Sequence, residues 1–222
     1  MATFLDELFT PFCVKLTVPL PPLAFGQIFR VPAYYPPTRL QVWRPKVFDR
    51  KLSVASDFNL EVPKDAFARL LPYSAPPLAT NEEFLGIKAK KRPVILVQPP
   101  DPKLTIIPPV RGGAKLVRNI APVCLLYSAV DAAQMSKFDT AFLDRVRLLE
   151  YPQFLFIPSS GPIVVDSLAR FDELQSVDVA SLEPTGYSLN PEIVSILKSQ
   201  ISFLLTGLGG SGFQEWATQL RE

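Results

Sequence analysis

The chain has 222 residues, 48% apolar and 20% charged, which excludes a disordered polymer and leaves room for one large domain or two small ones. It contains no histidine, so Ser-His-Asp and Cys-His triads and most zinc enzymes are excluded. The net charge of +2 is unevenly split: residues 1–118 carry 17 Lys/Arg against 9 Asp/Glu, and residues 119–222 carry 6 against 12. A basic half is what a polyanion such as nucleic acid would meet; it is also what a solvated face balanced by its own acidic half would look like.

With 24 prolines, long helices are hard to place, so a mainly β chain joined by stiff loops is expected. Cys13 and Cys124 lack metal-site spacing and read as buried free thiols in a reducing compartment. Asp6 and Glu7 stand where a signal peptide would be basic, and no apolar run is long enough to span a bilayer, so a cytoplasmic location is expected.

In chain order, residues 1–10 suit a short helix capped by Thr3 and stopped by Pro11. Residues 12–18 and 25–31 read as strands, the second ended by Pro32. Residues 36–86 interleave Arg39, Arg44, Lys46, Arg50 and Lys51 with aromatics such as Trp43 and Phe48. That pattern fits either a stacking surface for single-stranded nucleic acid or a peripheral hairpin with aromatics inside and cations in water. Within it, 58–62 alternates as a strand, 63–71 suits one or two helical turns, and 72–83 is a proline-rich loop.

Residues 88–98, Lys-Ala-Lys-Lys-Arg-Pro-Val-Ile-Leu-Val-Gln, are the centre of the pattern. The apolar run from Val94 to Val97 reads as a fully buried central strand, with Pro93 at its first position because proline cannot donate to a ladder. Arg92 then stands at the strand's mouth, with Lys88, Lys90 and Lys91 beside it. Five prolines and a Gly-Gly pair make 99–113 a stiff loop or arm. Residues 120–130 form another buried strand, 136–150 an amphipathic helix packed on the core, and 151–157 a strand. Residues 167–178 are a strand pair or one long bent strand. Asn190 as N-cap with Pro191 at N1 opens a helix that carries Ile193, Ile196, Leu197, Ile201, Leu204 and Leu205 on its apolar side. Residues 207–212 end it, and a short terminal helix follows.

The order Gly-Gln-Ile-Phe-Arg-Val, Arg-Pro-Val-Ile-Leu-Val-Gln, a strand ending Tyr-Ser, Asp-Ser-Leu-Ala-Arg-Phe-Asp-Glu-Leu-Gln-Ser-Val-Asp, and Ser-Leu-Asn-Pro-Glu resembles the MazF/PemK (Kid) toxins of type II toxin–antitoxin modules. The resemblance covers 25–31, 86–98, 119–130 and 154–206. It implies one domain over residues 1–222: an SH3-like β-barrel with a C-terminal helix, an insertion at about 36–86, and extended connections at about 99–118 and 131–153. It further implies a homodimer that cleaves single-stranded RNA, with no metal or cofactor, held in check by a cognate antitoxin. The family's catalytic arginine corresponds to Arg92, and its threonine at the end of the next strand to Ser128. The RNA-binding residues are expected among Lys88, Lys90, Lys91, Arg39, Arg44 and Trp43. Where the family has a short Gly-Ser-Glu-Gln-type loop this chain has the 36–86 stretch, and where it has an Asp-Gln pair this chain has Asp172-Glu173.

The chemistry itself can be argued from residue types. Without histidine, RNA is cleaved by attack of the 2′-OH on the adjacent phosphorus, and the protein must stabilise charge on the phosphate oxygens. A guanidinium and an aimed hydroxyl do that, each donor being worth roughly 10²–10³ in rate. Arginine, with a pKa above about 12, is a poor base, so the base stays unassigned. Alternatives are an RNA-binding or regulatory module on the same barrel without catalysis, and a gyrase poison like the related CcdB toxins.

Overall fold

The computed structural model describes residues 3–34, 41–49, 51, 54–64, 84–100, 119–131, 133, 135–208 and 211–222. The chain divides into two compact units, Met1–Pro32 with Lys91–Glu222, and Ala33–Lys90.

The first unit is built on seven strands: β1 (Cys13–Lys15), β2 (Gln27–Tyr34), β5 (Ala89–Leu96), β6 (Ile120–Ser128), β7 (Phe154–Ile157), β8 (Ser167–Asp178) and β9 (Glu183–Leu189). They lie in the order β1-β9-β2-β5-β6-β8-β7, so the Arg-Pro-Val strand is the middle one. Val94, Ile95 and Leu96 have no exposed surface, which a central strand covered on both faces requires. Pro93 is the fifth residue of β5 rather than the first, but the ladder to β6 starts only at Val94, so its missing N–H costs no bond there. Pro32 lies within β2, exposed, where the sequence placed the strand's end.

β8 is a single long strand with a break in register. Leu125 faces Arg170 and Cys124 faces Leu174, so residues 171–173 have no partner on β6 and form a bulge, with Phe171 buried in the main core. The break re-aims Asp172 and Glu173, and it is the bend that the sequence left open between one strand and two. At the sheet's two ends, the Cys13 N–H of β1 donates to Ser160 Oγ just beyond β7 at 3.2 Å. Gly161 has φ +56°, and a Cβ there would lie 2.8 Å from the Tyr187 ring of β9 and 3.4 Å from the Cys13 Cβ. The turn beyond β7 therefore packs against β1 and β9, although among the described residues no backbone ladder joins β7 to β1.

One face of the sheet packs on α3 (Pro191–Thr206) and α4 (Ser211–Gln219). Ile28, Ile95, Leu126, Leu155 and Ile157 meet Ile193, Ile196, Leu197, Ile201, Phe213 and Leu220 in the main core. The Asn190 side chain accepts from the Glu192 N–H and Gly207, in the left-handed region, closes α3. Leu205 is 67% exposed, off the apolar face assigned to it from sequence. Cys13 and Cys124 are buried free thiols, as the sequence suggested.

A smaller core on the other face gathers Val146, Phe156 and Leu168 with Phe138, Phe142 and Tyr151. Here α2 spans only Thr140–Arg147, capped by Asp139. It starts later than expected because Asp131 and Ser136 use their side chains in turns, Asp131 accepting from the Ala133 and Met135 N–H groups. The first helix, α1 (Leu5–Leu8), is likewise shorter and follows Phe4 instead of Thr3. No helix among the described residues is long and apolar enough to cross a membrane.

The second unit contains the hairpin β3 (Val42–Asp49) and β4 (Val54–Glu61). Residues 84–86 lie along β3, with the Trp43 N–H donating to Phe84 O and the Gly86 N–H to Gln41 O. Gly86 packs closely here, since a Cβ would stand 2.2 Å from Leu60 Cδ1 and would make that side chain shift. The helical turns expected at 63–71 and the loop at 72–83 fall mainly outside the described residues.

Candidate functional site

β5, β6 and β8 bring one cluster of chemical side chains to the sheet face opposite the main core. In the β6–β8 ladder Tyr127 pairs with Leu168 and Leu125 with Arg170, and in the β7–β8 ladder Leu168 pairs with Phe156 and Arg170 with Phe154. Paired residues share a face, so Tyr127 and Arg170 emerge on the side of Phe154 and Phe156. The Arg92 guanidinium lies 4.9 Å from the centre of the Tyr127 ring, a cation–π contact, and that of Arg170 is 5.9 Å from the same ring.

The bulge of β8 supplies the acids. Glu173 Oε2 accepts from the Tyr127 hydroxyl at 2.6 Å, and Glu173 Oε1 pairs with Arg170 Nη1 at 2.8 Å. Asp172 accepts from Arg170 in a fork, Nη2 at 2.7 Å and Nε at 3.2 Å. Burial and the Glu173 carboxylate push the Tyr127 phenol well above its ordinary value, against the opposing pull of Arg92 and Arg170. The Arg170 guanidinium is raised in turn, chiefly by its bond to Asp172.

The arrangement is half-open, with the Arg170 side chain 34% and Glu173 25% exposed. Ion pairs that wet contribute only about 0–1 kcal/mol to stability. The fork of Arg170 on Asp172 and its bond to Glu173 are a bidentate network that also ties the bulge to its own strand. Chemically it offers the Arg92 guanidinium over a phenol, and a carboxylate that accepts that phenol's hydrogen bond while Arg170 holds its other oxygen.

Ser128 is not part of it. Ser128 pairs with Ser167, which pairs with Ile157 in the main core, so alternation sends Ser128 to the other face. Its hydroxyl donates to Val130 O at 2.5 Å. The side chain beside Arg92 that carries a hydroxyl is Tyr127, one residue earlier. Lys91 also points away, alternating with Arg92, and pairs with Glu183 of β9 at 2.5 Å. Lys88 and Lys90 are exposed and belong to the other unit.

In that unit's hairpin, Trp43 pairs with Leu60 and Arg44 with Asn59, so the two side chains leave opposite faces and do not combine into one site. Trp43 instead joins Phe58, Phe84 and Leu85 around an apolar depression of about 480 Å³. Arg39 lies outside the described residues. Among the described residues no group of three or more acidic or cysteine side chains is placed to hold a metal ion.

Sequence reasoning placed Arg92 and missed Tyr127, Arg170 and Glu173 as its neighbours. The usable signal was the two-residue period: once Val94, Ile95 and Leu96 are set in the core, register decides which of Tyr127 and Ser128 shares a face with Arg92. The β8 bulge leaves no such signal. Comparison with protein-family models finds no match to this chain, and no curated protein is similar to it.

Proposed function

We propose that the protein is a toxin-like endoribonuclease of the MazF/PemK kind, cleaving single-stranded RNA by 2′-OH attack on the phosphate. The observation that carries the reading is the Arg92 guanidinium over Tyr127, whose hydroxyl is bonded to Glu173 beside Arg170. A phosphodiester set against this face meets the Arg92 guanidinium for its developing charge, with the phenol in place of the expected Ser128 hydroxyl and Arg170 holding the two carboxylates beside it. The contact of β1 with the turn after β7, at Cys13 and Ser160, favours an SH3-like barrel as the finer description of the fold. A homodimer, a cognate antitoxin and a cytoplasmic location belong to the same reading.

The test is cleavage of single-stranded RNA by purified protein in the presence of a chelator, read as a cyclic phosphate and a 5′-OH. Arg92→Ala should cut the rate by about 10²–10³ with folding intact, the usual cost of one charge-stabilising donor. Ser128→Ala should stay within about threefold of wild type, since its hydroxyl serves only a local turn. Cleavage that survives Arg92→Ala overturns the mechanism.

A second reading has one observation behind it. Asp172 and Glu173 already hold the Arg170 fork, which weakens its hold on a phosphate and suits a module that binds RNA without cutting it. Binding with a steep salt dependence and no product would decide for it.

A further inference from the structure

We infer that Tyr127 and Glu173 form a proton relay, Tyr127 taking the proton of the attacking 2′-hydroxyl while its own proton passes to Glu173; the inference rests on the RNA-cleaving reading above. The direction of the hydrogen bond carries it. The phenol donates to Glu173 Oε2 at 2.6 Å, so its oxygen keeps a lone pair with which to accept from a substrate hydroxyl. Glu173 cannot turn away, because its other oxygen is held by Arg170 Nη1 at 2.8 Å. The charged groups facing the pair are Arg92 from β5 and Arg170 and Asp172 from β8, with the Phe154 ring of β7 alongside Arg170. This fills the role that an absent histidine would otherwise play, and a carboxylate alone in the bulge would not need the phenol.

The step balances as follows. The 2′-oxygen forms a bond to phosphorus as its proton moves to Tyr127 Oη, and the phenol's proton moves to Glu173 Oε2. The bond from phosphorus to the 5′-oxygen breaks with its electron pair, leaving a 2′,3′-cyclic phosphate. The 5′-oxygen takes a proton from water, and the hydroxide so formed removes the proton from Glu173. Tyr127 ends the cycle neutral and Glu173 ionised, with no co-reactant consumed. Tyr127 touches the substrate and is catalytic; Glu173 acts through it and is a positioning residue that also stores the proton.

The experiment compares wild type, Tyr127→Phe and Glu173→Gln on a single-stranded RNA and on the same RNA with sulfur in place of the 5′-bridging oxygen at the cleaved linkage. Tyr127→Phe keeps the ring under Arg92 and should lower kcat by about 10²–10⁴ with KM little changed. Glu173→Gln should lower kcat comparably and lose the acidic limb of the pH profile. On the sulfur substrate, whose leaving group needs no proton, the ratio of wild type to Tyr127→Phe should persist. A ratio that collapses to one would put Tyr127 at the leaving group and overturn the relay, as would an acidic limb retained in Glu173→Gln. In wild type the rate in H₂O/D₂O mixtures should bow downward, because two protons move; a straight line overturns the relay without any variant. Loss of cleavage in Arg92→Ala with Tyr127→Phe within threefold of wild type sinks the relay alone, whereas no cleavage by wild type sinks the functional reading and the relay with it.

Discussion

Tyr127 is where burial, charge and hydrogen bonding meet on one atom. Its phenol titrates above the ordinary value of about 10 because ionising it would bury a charge against the Glu173 carboxylate. The folded protein thus holds that proton more tightly than the unfolded chain does. Its contribution to stability is complete below about pH 10 and is lost as pH rises past that value. An alkaline titration followed by phenolate absorbance should show one late component that vanishes in Tyr127→Phe and joins the main wave on unfolding. A wild-type curve indistinguishable from that of Tyr127→Phe would mean the phenol is not held by Glu173. The thiols behave alike, burial pushing Cys13 up to about 11, so at pH 8 it stays a thiol and a poor nucleophile.

At the scale of elements, the clearest device is the start of α3, where Asn190 accepts from the Glu192 N–H at 3.0 Å and Pro191 occupies the first turn. Asn190→Ala should cost about 1 kcal/mol, within the roughly 0.5–2 kcal/mol of N-cap losses, seen as a lower denaturation midpoint with unchanged slope. A loss below measurement would mean the cap is replaced by water. This helix was legible because its signals are local: cap, proline and a 3.6-residue apolar period. The central strand was legible for the same kind of reason, an unbroken apolar run from Val94 to Val97. Short elements were misjudged where side chains compete with the backbone, as Asp131 and Ser136 do ahead of α2. The bulge at 171–173 was invisible because no residue type demands it; it follows from how β6 and β8 pair over their whole length. The candidate site was therefore half readable, Arg92 from its strand and its partners only from the register.

For the whole molecule, the question is whether Ala33–Lys90 is needed for the chemistry placed on Lys91–Glu222. β2 and β5 are neighbours in the sheet, and the Gly26 N–H donates to Leu96 O, so the start of β2 lies by the end of β5. The strands must then run antiparallel, which puts the end of β2 beside the start of β5, where a short turn can join them. Replacing 36–86 by a four-residue Asn/Gly-rich turn should thus leave the seven-stranded sheet able to form. It also shortens the loop that links two adjacent strands, which lowers closure entropy only slightly, by about 0.6 kcal/mol per halving of length. All five side chains of the cluster, Arg92, Tyr127, Arg170, Asp172 and Glu173, are retained. The shortened chain should melt cooperatively and cleave RNA with kcat within about tenfold of wild type, while KM rises if the cations of 36–86 bind the strand. A folded but inactive shortened chain would move the functional centre into the excised stretch, and with it the weight placed on Arg92.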